Sequence, residues 1–246
     1  MKSDRSKRRH RDKIYELLLS LCLMVLVSFA FPRLSWIGLL GYALIALLLT
    51  QLVMIRKETL TLGDRLYQLL GLGALSALLL WQITPIRWVV SGVPLVLTWS
   101  VLVGWSVIRL VERLSQERRV TSGLLMGAAA GYLLLGLTAG LVMSAVETIQ
   151  PGSFAPLNML QESASGANAT VLMKLNDFSQ INYFAFICLT TVGLGDIQPV
   201  LPASRILAVI TGIIGPLYLA VVMGVLIGRY TNQVEEKDIF KHEDRR

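Results

Sequence analysis

Seven runs of sixteen residues or more in this 246-residue chain contain no Asp, Glu, Lys or Arg, and that exclusion limits the fold more than any other feature. A helix needs about 20 apolar residues to cross a bilayer core. Leu34–Ile55, Leu66–Ile86, Trp88–Ile108, Val120–Val146 and Ile206–Gly228 meet this outright, and Leu17–Pro32 does once Ile14 and Tyr15 are counted. Lipid offers no hydrogen bonds, so such runs must satisfy their backbone internally, as helices. The composition agrees. Hydrophobic residues make up 54% of the chain, charged ones only 16%, and mean hydropathy is +0.62. That balance excludes an ordinary soluble domain.

The seventh run, Phe178–Gly195, is as uncharged as the others but unlike them in its second half. Thr190, Thr191 and Val192 are β-branched, and Gly193 and Gly195 break a helix. The run therefore reads as re-entrant, with a short helix over 178–189 and extended chain after it. Irregular backbone at membrane depth needs protein or water around it.

Placing the N-terminus in the cytoplasm puts nineteen Lys and Arg on the inner side, in residues 1–16, 56–65, 109–119 and 229–246. Only Arg33, Arg87, Lys174 and Arg205 fall outside. The alternation predicts six crossings with both termini cytoplasmic, in a plasma membrane or bacterial inner membrane. The basic N-terminus reads as a topology signal that meets anionic lipid, and not as a nucleic-acid arm. No cleavage pattern follows the first run, which reads as an uncleaved span.

Residues 190–196, Thr-Thr-Val-Gly-Leu-Gly-Asp, lie between the short helix and the last span. Glycine takes φ > 0 at no steric penalty, so Gly193 and Gly195 allow successive carbonyls to point one way. This Thr-Val-Gly-x-Gly-Asp run resembles the selectivity filter of tetrameric potassium channels. The resemblance covers 120–231 and implies a homotetramer. Its K+ ions would bind at Thr191, Val192, Gly193 and Leu194, with Gly195 completing the filter and carbonyl oxygens replacing the hydration shell. It also implies support of the filter by Thr190, by Asp196 at the outer mouth, and by an aromatic cuff of Tyr183 and Phe184. Leu194 stands where that family usually has Tyr or Phe, so the brace from that ring's hydroxyl is missing. The function implied is passive, potassium-selective conduction. A weakly selective cation channel is the runner-up, and a non-conducting membrane subunit the third reading.

Asp177 is predicted to N-cap the pore helix, with Gln180 as its capping-box partner. In the last span, Pro216 removes a backbone donor and clashes four residues back. The resemblance puts a gating hinge there, at Gly212, Gly215 and Pro216. Gly-x-x-Gly equally permits close helix packing, and both roles stay open.

The expected fold is an all-α integral membrane protein of six transmembrane helices plus a re-entrant pore helix and extended filter. It divides into a basic N-terminus (1–16), a four-span module (17–113), a pore domain (120–231) and a tail (232–246). Within the pore domain the outer helix is expected over 120–147, a mobile outer loop over 148–177 and the inner helix over 204–230. Trp88–Ile108 has no Arg or Lys array, so the module does not resemble a voltage sensor. Arg109 and Arg113 read as anchors at its inner end. Cys22 and Cys188 fall in membrane runs and read as small core residues. His10 and His242 lie in the two hydrophilic ends. With no acid or base in the central spans, an enzyme has nothing to work with, and no cofactor is expected.

Overall fold

Each uncharged run contributes a helix, and most helices extend past one end of the run that predicts them. The computed structural model describes residues 2–29, 35–54, 62–83, 92–116, 122–157 and 167–243. Five helices come first: α1 (Lys2–Ser28), α2 (Ser35–Met54), α3 (Leu62–Ile83), α4 (Gly92–Gln116) and α5 (Ser122–Ile149). Then follow β1 (Phe154–Ala155), α6 (Ala167–Leu189), β2 (Gln198–Pro199) and α7 (Pro202–Glu243). Two segments, Gly123–Ile149 and Pro202–Gly228, are long and apolar enough to cross a membrane. The start expected for the fourth run, Trp88, lies outside the described residues.

Three boundaries differ from expectation, each in a stretch with no Gly or Pro to interrupt the helix. No Gly or Pro precedes Pro32, so the basic N-terminus is continuous with α1. None follows Gly228, so α7 runs on through the expected tail to Glu243. None lies between Gly166 and Gly193, so α6 starts at Ala167 and not at Phe178. Asp177 is therefore inside α6 and cannot be its N-cap. Of the outer loop expected over 148–177, residues 158–166 lie outside the described residues, and parts of the rest are regular. Residues 167–177 are helical, and β1 pairs antiparallel with β2, Phe154 opposite Pro199 and Ala155 opposite Gln198.

The helices share a core that ignores the division expected near residue 120. α1 and α4 both lie against α5. One apolar cluster runs from Leu18 and Cys22 through Tyr42, Ala74, Trp99 and Leu102 to Leu134, Leu137 and Leu141. The division is one of the chain and not of the packing. Arg109 is more than an inner-end anchor. Its guanidinium lies 5.2 Å from the Tyr67 ring centroid and 5.6 Å from that of Trp105, cation–π geometry that ties α4 to α3.

Beside this core, α6 descends between α5 and α7. Gly136 and Gly140 form a notch on α5. An added Cβ at Gly136 would lie 2.6 Å from Phe186 Cζ, and one at Gly140 would lie 2.6 Å from Asn182 Cγ. Small residues four apart let side chains of a neighbouring helix reach the backbone. Here they seat the helix that leads into the Thr-Thr-Val-Gly-Leu-Gly run.

Candidate functional site

The end of α6 builds the first turn of the site. Thr190 N–H donates to Phe186 O at 2.9 Å, Thr191 N–H to Cys188 O at 3.0 Å, and Val192 N–H to Ile187 O at 3.0 Å. The last two bonds make a Schellman cap, with Thr191 at its left-handed position. Glycine usually fills that position. Thr191 has φ 60°, which costs a β-branched residue about 1–2 kcal/mol. Its Oγ1 donates to Thr190 O at 2.6 Å.

Beyond the cap the backbone alternates. Thr191, Gly193 and Gly195 have φ 60°, 53° and 79°, while Val192, Leu194 and Asp196 have ordinary values. The two glycines were legible in the sequence; the left-handed Thr191 was not. Gly193 N–H also turns back, to Ile187 O at 3.2 Å. Among the described residues, no hydrogen bond reaches the carbonyl oxygens of Thr191, Val192, Gly193 or Leu194. The Val192 and Leu194 side chains are 57% and 66% exposed on the single chain.

The outer leg is held by polar bonds. Tyr183 Oη donates to Asp196 Oδ2 at 2.8 Å, and Ile197 N–H donates to Asp196 Oδ1 at 3.1 Å. A hydroxyl of α6 thus reaches across to the residue that follows Gly195. Phe184 does not join it. It is buried against Phe154, ring centroids 5.4 Å apart, in a cluster with Met143, Ile181 and Ile197. Only half of the expected aromatic cuff faces the run. Thr190 Oγ1 donates back to Phe186 O at 2.8 Å, closing the helix end.

A frame around the outer leg escaped sequence reasoning. Glu147, at the end of α5, accepts Gly152 N–H at 2.7 Å and Phe154 N–H at 3.1 Å. The buried Ser153 carbonyl accepts Val200 N–H at 2.8 Å and Ser204 Oγ at 2.7 Å. The start of α7 and the chain leaving the run are thereby tied to the end of α5.

The foot of the run is pinched by two helices. Tyr132 Oη of α5 donates to Leu189 O at 3.2 Å. From the other side, α7 brings Gly215 so close that an added Cβ would overlap that same oxygen and sit 2.9 Å from its carbon. Gly212, one turn away, leaves 3.6 Å to Cys188 O, an ordinary contact. α7 is helical throughout, with Pro216 inside it. Of the three hinge candidates, only Gly215 is in forced contact with the pore helix.

Residues 157–232 match a protein-family model described as an ion channel. The matched span takes in α6, the Thr-Thr-Val-Gly-Leu-Gly-Asp run and the membrane-length part of α7, a little under a third of the chain. No curated protein and no solved structure matches the chain. The match supports an ion-channel family for this protein, and it includes the segment of alternating φ.

Proposed function

We propose that four copies of this chain form a potassium-selective channel. The observation that carries the reading is the alternating backbone of 191–195, which leaves four consecutive carbonyl oxygens without a protein donor. Such oxygens can replace a cation's hydration shell, and ions queued at adjacent sites leave by mutual repulsion. Thr191, Val192, Gly193 and Leu194 would hold K+, with Gly195 closing the outer end and Thr190, Asp196 and Tyr183 supporting the filter. Phe184 would support it only indirectly, through Phe154 and Ile197. One chain supplies a quarter of each cage, and the exposure of the run and of Ile206, Val209, Ile213 and Leu217 on α7 favours a homotetramer.

In this reading α1–α5 and α7 are the six spans, both termini are cytoplasmic, and the basic start of α1 meets anionic lipid. Gly212 and Pro216 keep the role of a gating hinge. Gly215 acts in packing, where α7 touches the pore-helix end. The channel carries no catalytic machinery and takes K+ as cargo.

The test is purified protein in liposomes under K+ and Na+ gradients. A reversal potential that follows K+ is expected. Thr191→Ala should weaken K+ block or binding at the inner end, and Leu194→Tyr should conduct with equal or tighter K+ preference. Equal permeability to Na+ and K+ would favour the runner-up, a weakly selective cation channel, for which the aliphatic Leu194 is the specific motive. No flux at all would favour a non-conducting membrane subunit.

A further inference from the structure

The helices before the pore have a directional hold on the back of the pore helix. Two side-chain hydroxyls, of Ser179 and Tyr42, make hydrogen bonds between the α1–α2 side and α5–α6. Ser179 Oγ donates to Phe29 O at 2.7 Å, just past the end of α1. Tyr42 Oη, on α2, faces two acceptors, Asn182 Oδ1 at 3.3 Å and Leu137 O at 3.4 Å. Asn182 is wholly buried, and its Nδ2 donates to Phe178 O at 2.8 Å. Aromatic edges complete the contact: Phe29 and Tyr42 both meet the Phe178 ring edge-on, at 5.8 and 6.3 Å, and Trp99 of α4 backs Tyr42 at 5.4 Å.

What makes this contact functional is its register on α6. Asn182 is followed at once by Tyr183, whose hydroxyl holds Asp196 at the outer mouth. Consecutive residues lie about 100° apart around a helix. Any rotation of α6 that breaks the Tyr42–Asn182 bond therefore swings the Tyr183 ring by the same angle. The side chains of Ser179 and Asn182 fix the helix against turning, and Gly140 leaves room for Asn182 but not for a Cβ of its own. The inner ends of these helices touch α7 differently. Tyr15 and Val107 pack in an apolar cluster with Tyr218 and Val222, contacts that allow sliding.

We propose that the four-helix module α1–α4 sets the conducting geometry of the filter from behind the pore helix, with Tyr42 and Ser179 as the positioning residues. The inference rests on the channel reading. The module would act on the filter and not on the inner helix, so a change in its packing is felt as a change in Tyr183–Asp196 and in the four carbonyls. Ions bound in the filter stabilise the state that binds them, by mass action. A filter loosened from behind is therefore restored by raising K+, whereas a closed inner-helix gate is not.

The experiment uses the full chain in liposomes and planar bilayers, with Tyr42→Phe, Ser179→Ala, Tyr183→Phe and the Tyr42→Phe/Tyr183→Phe double variant. Each is first checked for an unchanged oligomer by size exclusion. Tyr42→Phe should shift the ratio of conducting to non-conducting filters by about five- to thirtyfold at low K+. The shift should shrink as K+ rises, with the reversal potential unmoved. Ser179→Ala should act in the same direction. The double variant should lose less than the product of the two singles, because both act through the rotation of one helix. Wild-type conduction with a Tyr42→Phe channel indistinguishable from it overturns the inference alone. So does a loss that K+ does not relieve, or strictly multiplicative losses. A wild type that passes no ion overturns the channel reading itself, and this inference with it.

Discussion

The two sides on which α5 and α7 meet the pore helix are both built on glycine, yet they differ in what the glycine admits. On α5, Gly136 and Gly140 make room for side chains, Phe186 and Asn182. On α7, Gly215 makes room for backbone, the Leu189 carbonyl that immediately precedes the filter. A side chain can give way by a rotamer change. A carbonyl at the end of a capped helix cannot, because Thr190, Thr191, Val192 and Gly193 are already bonded to the last turn. The back of α6 is thus adjustable and its foot is not.

That contrast fixes an order of effects. Gly215→Ala should be the most damaging change, about 3 kcal/mol or more by analogy with overpacked cores, and should abolish K+ flux or alter ion preference. A Gly215→Ala channel with normal selectivity and only a changed open probability would reverse the contrast and restore Gly215 as a hinge. Gly140→Ala should come next, at about 1–3 kcal/mol, read as a lower melting temperature of the purified oligomer. Pairing it with Asn182→Ala should recover part of the loss; if it does not, the notch is not side-chain filled. Trp99→Phe should change stability by less than about 1 kcal/mol, because its Nε1 is buried without a hydrogen-bond partner and only ring packing is altered. Gly212→Ala should be neutral or stabilising by up to about 1 kcal/mol through helix propensity, since its Cβ meets only Cys188 O at 3.6 Å. A large loss at Gly212 would mean that α7 sits closer to α6 than described.

The sequence announced the helices and the two left-handed glycines, because both are local. Charge exclusion needs no knowledge of neighbours, and Gly193 and Gly195 announce their dihedrals by being glycine. Asp177 misled because a good capping residue does not start a helix when Ala167–Asn176 upstream is equally willing to be helical. The dihedral of Thr191 was hidden, since nothing in a threonine announces a positive φ; the cap geometry imposes it. The Gly136–Gly140 spacing was visible, but its occupants were not. Tyr42 could not be found at all: its partner Asn182 is 140 residues away, and an aromatic residue in an apolar span looks the same whether it faces lipid or a buried amide.

The frame of Glu147, Ser153 and Ser204 has a consequence for biosynthesis. Its parts are made at different times. Ser153 emerges 51 residues before Ser204, so the tie between them cannot close until α7 begins to leave the ribosome. Closing such a loop carries an entropic penalty that the contacts repay only when all are present. A chain truncated before Ser204 would keep α6, the whole Thr-Thr-Val-Gly-Leu-Gly-Asp run and the Val200–Ser153 bond, yet lack the Ser204 hydroxyl that ties the start of α7 to the same carbonyl. The last tie on this run is then a late event, timed by synthesis of the last helix.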